Sequence, residues 1–302
     1  MLIWETSGAQ SPPHYSYDNS YDSSYTFPGD VPELRLKRLK LLAWGSGISY
    51  TASLAGLYAL WYQDSMQPRF RFFNDNAEWQ QVDKWGHFYS AYHLNRATTQ
   101  AFRWAGMPTR KAAFWGMVTG IAAMAPIEIL DGFSERYGAS WGDFLVNAAG
   151  SAFFYTQLSL WNDVRIHPKF SFRQTSLAPL RPEVLGQGLR EELIKDYNGQ
   201  TYWLSIDLDK FIASKSRILP WFNIAVGYGA ANMLYAQNLQ NREISHLRHY
   251  RQFYLALDPD LSAWPTRKRW LKTLIFLIDM IHLPAPTLEF NRQRGFLFHP
   301  FY

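Results

Sequence analysis

Leu41-Leu42-Ala43-Trp44-Gly45-Ser46-Gly47-Ile48-Ser49-Tyr50-Thr51-Ala52-Ser53-Leu54-Ala55-Gly56-Leu57-Tyr58-Ala59-Leu60-Trp61-Tyr62 runs for 22 residues without a charge. As a helix at ~1.5 Å per residue it reaches about 33 Å, enough for a bilayer core of ~30 Å. A basic cluster precedes it: Arg35, Lys37, Arg38 and Lys40. Three more helical segments follow. The second runs from about Lys84 to Trp104 and is amphipathic, with Arg96, Gln100 and Arg103 between aromatics. The third runs from Lys111 to about Leu130 and the fourth from Trp141 to Trp161. Trp44 and Trp61, Trp85 and Trp104, and Trp141 and Trp161 bracket three of the four, as interfacial tryptophans do. The expected fold is mainly α: a four-helix membrane-embedded bundle followed by a small α+β C-terminal region.

Outward from these segments the chain changes character. Residues 1–32 are rich in Ser, Tyr, Pro and Asp and show neither helical nor strand periodicity, so they read as a disordered or extended arm. The start lacks the charged and apolar regions of a secretory signal; the small residues of Ser7–Gln10 could be the stub of one. The four helices fill 33–164, and 165–302 forms a basic α+β tail domain. Alternating runs such as Tyr202–Leu208 and Phe253–Asp258 predict strands there, with others near Phe170–Phe172, Trp221–Met233 and Thr287–Tyr302. Helices are expected near Leu189–Tyr197 and Arg267–Ile281. Tyr202–Asp209 echoes Phe253–Asp260, read as two paired strands ending in Asp-x-Asp turns that would admit calcium. Five or six strands are too few to close a barrel.

Of 302 residues, 47% are hydrophobic, 17% aromatic and 18% charged, which rules out a disordered chain. Cys is 0, so disulfides, thiolate metal sites and a Cys nucleophile are excluded. The mean hydropathy of −0.26 rules out a chain made wholly of membrane spans. The net charge of +5 divides unevenly: residues 1–164 carry 12 Lys+Arg against 14 Asp+Glu, and 165–302 carry 18 against 11. A basic tail suits anionic lipid. No nucleic-acid motif accompanies it, so nucleic acid is not an expected partner. Membrane lipid is, and so are other envelope proteins.

Threading the four helices up and down puts Arg35–Lys40, Arg103, Arg110 and Lys111 at one end. Asp83, His87, Glu128, Asp131, Glu135 and Asp143 gather at the other. Asp83 and His87 are four residues apart and share a helix face, as do Asp143 and Asn147; Ser140 is a good N-cap for the fourth helix. His87, Asp83, Glu128, Asp131 and Asp143 make a workable set for a divalent metal. His87, Asp83 and Asp143 could equally do acid/base catalysis. The third reading is a structural latch, in which Asp83–His87 is a capping pair, Asp143 answers the helix dipole and Arg136 pairs with Glu128 or Asp131. No nucleophile motif or phosphate loop is present, and Gly227-Tyr228-Gly229 lacks the third glycine of a dinucleotide loop.

Asp83-Lys84-Trp85-Gly86-His87-Phe88, Glu128-Ile129-Leu130-Asp131-Gly132, Gly138-Ala139-Ser140-Trp141-Gly142-Asp143 and Asn147-Ala148-Ala149-Gly150 together resemble the YfiM-like family, predicted periplasmic lipoproteins of bacteria. Their order is also similar to VanZ-like membrane proteins. The resemblance covers about residues 80–160. It implies a cell-envelope protein with a small helical membrane domain, Lys84, Ser140, Asn147 and Gly150 belonging to the structural motif, and it assigns no reaction. The chain has no cysteine to lipidate, so direct membrane insertion is expected, with the polar cluster facing the periplasm; inner and outer membrane stay open. The expected role is structural or interactive. The alternatives are a metal-dependent or acid/base enzyme acting on an envelope lipid or phosphorylated amphiphile, and a subunit of a larger envelope assembly.

Overall fold

The computed structural model describes residues 32–63, 65–212, 218–243 and 247–302. The proposed arm and the stub at Ser7–Gln10 lie outside the described residues. Helix α1 (Pro32–Leu57) ends in a π-helical turn, Tyr58–Tyr62. Then come α2 (Val82–Trp104), α3 (Thr109–Gly132) and α4 (Trp141–Trp161). The C-terminal part holds β1 (Ile166–Phe172), α5 (Pro182–Leu185), α6 (Leu189–Lys195), β2 (Gln200–Ile206), β3 (Phe222–Ala231) and α7 (Asn238–Glu243). It ends with β4 (Tyr250–Pro259), α8 (Arg269–Ile278), β5 (Thr287–Asn291) and β6 (Gly295–His299). The six strands form one antiparallel sheet in the order β1-β2-β3-β4-β5-β6.

This corrects the expected four-helix membrane-embedded bundle. Among the described residues there are eight α-helices and a six-stranded sheet, and one helix, Thr109–Gly132, is long and apolar enough to cross a membrane. The fold is α+β. The reason lies in the composition of the segments. Gly45, Ser46, Gly47, Ser49, Thr51 and Ser53 dilute α1. Helix α2 buries Asp83, Lys84, His93, Asn95 and Arg96 against protein partners. The tight helical unit is α2, α3 and α4, with Tyr92, Ala113, Phe154, Leu158 and Val164 at its centre. Helix α1 is largely exposed and tied at intervals: Arg38 donates to the Trp104 carbonyl, Tyr50 to the Ala123 carbonyl and Tyr62 to Asp131. Those ties do bring the basic ends together and the acidic ends together. The tryptophans do not form one belt: Trp44 and Trp141 are exposed, whereas Trp85 packs on Tyr228 and Trp61 lines a cleft.

Helix α2 also packs on the sheet. Val82, Tyr202, Ala230 and Met233 form a buried core there, with Trp79, Trp85 and Tyr89 around it. The echoing strands β2 and β4 are not partners; β3 lies between them. Their Asp-x-Asp ends do not present open calcium ligands. Asp207 is held by His167, Lys210 and Asn223, and Asp258 by Lys169, His282 and Ser205.

The two faces of the sheet have opposite chemistry. Phe170, Tyr202, Tyr228, Phe253, Phe290 and Phe296 stand opposite one another across all six strands. The next row on that face reads Pro168, Leu204, Val226, Leu255, Leu288 and Phe298. The other face carries His167, Lys169, Ser205, Asp207, Asn223, Asp258 and Glu289, all buried. Buried charge is tolerated only when paired. Here Lys169 reaches Asp258 at 2.6 Å and Asp279 at 3.3 Å, and Arg96 of α2 reaches Asp279 at 2.7 Å. Tyr302 closes this face, donating to the Tyr254 hydroxyl at 2.7 Å.

Candidate functional site

The acidic ends of the helices converge because two local signals fix them. Ser140 caps α4, its hydroxyl accepting from the Asp143 amide at 3.2 Å and donating to Asp75 at 2.6 Å. Gly150 lets α4 close on α2: a Cβ there would stand 2.2 Å from the Phe88 carbonyl oxygen. At the start of α2, Trp79, Gln80 and Gln81 all have left-handed backbone, with φ of 45°, 52° and 65°. Three successive non-glycine residues in that region are strained and need outside support. The C-terminal part supplies it: the Trp79 amide donates to the Ala236 carbonyl, Tyr228 donates to the Gln80 carbonyl and Arg251 to the Gln81 side chain. The turn aims Asp83 and His87 inward.

Two carboxylate groups result. In the first, Lys84 Nζ sits among Asp75 at 2.6 Å, Asp143 at 2.7 Å and Asp83 at 3.3 Å. That trio has its cation built in. In the second, His87, Glu128 and Asp143 each offer a ligand atom, all within 4.8 Å of one another. Asn147 Nδ2 donates to Glu128 Oε1 at 3.0 Å, so Asn147 Oδ1, 3.2 Å from His87 Nδ1, is the acceptor of that contact. In the neutral imidazole this puts the proton on Nδ1, which also lies 3.5 Å from Glu128 Oε1, and leaves Nε2 3.8 Å from Asp143 Oδ1, the oxygen that accepts from Lys84 at 2.7 Å. Glu128 Oε2 and Asp83 Oδ1 are buried with no hydrogen-bond partner among the described residues.

The electrostatics agree. Burial, with Asp143 and Asp131 nearby, pushes Glu128 up to about 7, against the lowering that His87 exerts when it is protonated. Burial pushes Asp131 up to about 7 even though Tyr62 donates to it at 2.8 Å. Asp143 rises to about 6 and Asp83 also rises, burial being the main cause for both. Asp75 goes the other way: burial would raise it, but hydrogen bonding with Asp143 and Lys84 outweighs that and lowers it. The group therefore holds more carboxylates than its own cations can balance.

Asp83, His87, Asp131 and Asp143 line an open cleft of about 420 Å³; Glu128, the third member of the ligand trio, is buried and does not line it. Asp75, Glu78, Tyr62 and Tyr137 line it too and were not singled out from sequence. Asp75 lies in a polar loop with no periodicity to mark it. Leu193, Ile194 and Tyr197, from α6 and the loop after it, form an apolar wall with Phe170 and Tyr202. Glu135 is exposed and outside the cleft, and Arg136 is exposed while Asn147, His87 and Tyr62 meet Glu128 and Asp131 instead.

One comparison bears on this segment. Residues 71–159 match a family described as predicted periplasmic lipoprotein (DUF2279). The match spans under a third of the 302-residue chain, yet includes Asp75, Asp83, Lys84, His87, Glu128, Asp131, Asp143 and Asn147. It fits a bacterial cell-envelope protein. No curated protein and no solved structure matches the chain.

Proposed function

We propose that the cleft is a divalent-cation centre, with His87 Nε2, Asp143 and Glu128 as ligands, serving a metal-dependent enzyme of the cell envelope that acts on a phosphorylated amphiphile. One observation carries the reading: His87 Nε2 lies 3.8 Å from Asp143 Oδ1, an oxygen that also accepts from Lys84 at 2.7 Å and keeps a second lone pair, beside a buried, unpartnered Glu128 oxygen. Two ligands so spaced can share an ion at ~2.1 Å from each. The Nδ1–H of His87 is fixed by Asn147, which is fixed by Glu128, the outer support a histidine ligand uses. Lys84 is the reason the ion belongs here and not in the Asp75–Asp83–Asp143 trio.

A phosphate would be repelled by this floor without a cation, so the ion is what admits it. Bound there, the ion would polarise the phosphate and activate a water. Asp131, which lines the same cleft, accepts from Tyr62 and has its pKa pushed up to about 7 by burial, would take the proton. The apolar wall of Leu193, Ile194 and Tyr197 suits the tail of the amphiphile. The match of residues 71–159 to a family described as predicted periplasmic lipoprotein supports a periplasmic aspect for the cleft.

Titration calorimetry with Zn²⁺, Mn²⁺, Mg²⁺ and Ca²⁺ tests the centre, and phosphate release from a phosphorylated amphiphile with and without chelator tests the chemistry. The reading expects one tightly held ion per chain and release that chelator stops. Release that survives full metal removal would overturn it.

A further inference from the structure

The sheet is turned inside out relative to the usual water-facing arrangement, in which the apolar face packs on the core and the polar face meets solvent. Its polar face is the buried one. Among the described residues, α2 covers the apolar face over β1–β3. Beyond that, Phe253, Phe290 and Phe296 of the aromatic row are exposed, and so are Val226, Leu255, Leu288 and Phe298 of the row beside it. An alternation with apolar side chains outward and paired charges inward is the pattern selected when the solvent outside is lipid. Single exposed apolar residues need no explanation, but two adjacent rows, one exposed over three strands and one over four, do.

The rim of this face has a sign. At the end where β3 leads to β4 and β5 turns into β6 stand Arg248, Arg251, Arg292 and Arg294, all exposed. Arg242 of α7 is near them in the chain, and Glu243 is the one acid in the 232–249 connection. Arginines beside an apolar face complement anionic headgroups at the level where acyl chains begin. The same aromatic row begins at Phe170 and Tyr202, which line the cleft.

The geometry points to the apolar face of β3–β6 as a seat on an anionic lipid surface, with the arginine-bearing end at the headgroups. The sheet lies against one leaflet and does not span it: β1 and β6 are not partners of each other, so the six strands do not close. The seat is independent of whether the cleft holds a metal.

The test is flotation of the full chain with phosphatidylcholine vesicles, with and without phosphatidylglycerol. Phe296 and Phe298 are the most exposed members of the two rows, so the double variant F296Q/F298Q removes apolar area without opening the core. The wild type is expected to float with the anionic vesicles. The double variant should partition at least about tenfold less, since it removes two apolar side chains from the seat. R292E/R294E should lose the preference for anionic over neutral vesicles. Because the chain has no cysteine, a fluorophore on Phe298→Cys reports the face directly and should shift to the blue on vesicle addition, whatever the flotation variants do. Unchanged flotation of F296Q/F298Q with no shift of the label would overturn the seat. So would a dimer in solution that F296Q/F298Q converts to monomer, because a second copy would then cover the face. Metal content is untouched by either outcome, so this proposal and the cation centre fail separately.

Discussion

Lys84 decides which of two acidic groups is complete. Its ammonium touches three carboxylates and is itself buried, so its pKa is held above the ordinary lysine value: burial opposes this, and Asp83 and Asp143 outweigh burial. Removing a buried partner leaves uncompensated charge, which costs about 3 kcal/mol or more. Lys84→Met should therefore lower unfolding stability by roughly that amount in urea denaturation. A change under ~0.5 kcal/mol, the range of an ordinary surface substitution, would show that the trio is not held by Lys84. Glu128 and Asp131 make an opposite kind of prediction. A carboxyl whose pKa rises on folding stabilises the fold while protonated and loses that contribution as pH climbs through its folded value. Both stand at about 7, so metal-free protein should melt lower at pH 8 than at pH 6. Asp75, lowered on folding, loses its contribution only in acid. A divalent ion should remove the difference between pH 6 and pH 8, read by differential scanning fluorimetry. A melting temperature that rises from pH 6 to pH 8 without metal would contradict this.

At the scale of elements, the helices carrying the site were legible and their setting was not. The spacing of Asp83 and His87, the Ser140 cap and the Glu128–Asp131 pair follow from helical periodicity, and the structure brings these residues together. Uncharged runs mark a helix without saying what surrounds it. The buried polar residues of α2 mark a protein-packed helix, and the serines and glycines of α1 leave that exposed helix short of the apolarity of a span. Alternation marked the strands near Tyr202–Leu208 and Phe253–Asp258, but period two does not say which face turns inward. The left-handed turn at Trp79–Gln81 had no signal at all, since glutamine and tryptophan do not favour that backbone. Gly150 gives the element-scale prediction. A Val there must displace the Phe88 backbone, so Gly150→Val should cost about 2–3 kcal/mol and loosen the His87–Asn147 geometry. Lower melting together with weaker cation binding is expected. Normal cation binding in a folded G150V would separate helix spacing from the site.

Over the whole molecule, the helical unit and the sheet share the α2 interface, and the charged inner face of the sheet reaches the same helix through Arg96 and Asp279. Lys169 is the hub of that inner network. Asp258 and Asp279 are both held below the usual carboxylate range: burial opposes, and it is outweighed for Asp258 chiefly by the His282 hydrogen bond and Lys169, and for Asp279 by Lys169, Arg96 and His167. Lys169→Met should cost about 3–5 kcal/mol in denaturant melts. It should leave cation stoichiometry unchanged, because the network and the cleft lie on opposite faces of the sheet. Loss of the bound ion in a folded K169M would show that the two are coupled.

The most direct measurement of the central claim is the metal content of the purified full chain, by elemental mass spectrometry, beside His87→Ala and Glu128→Gln. The account predicts close to one divalent ion per chain in the wild type and its loss in both variants. Metal-free wild type that stays empty after incubation with excess ion, with His87→Ala melting well below it, would contradict the account and make the cluster a latch between helices.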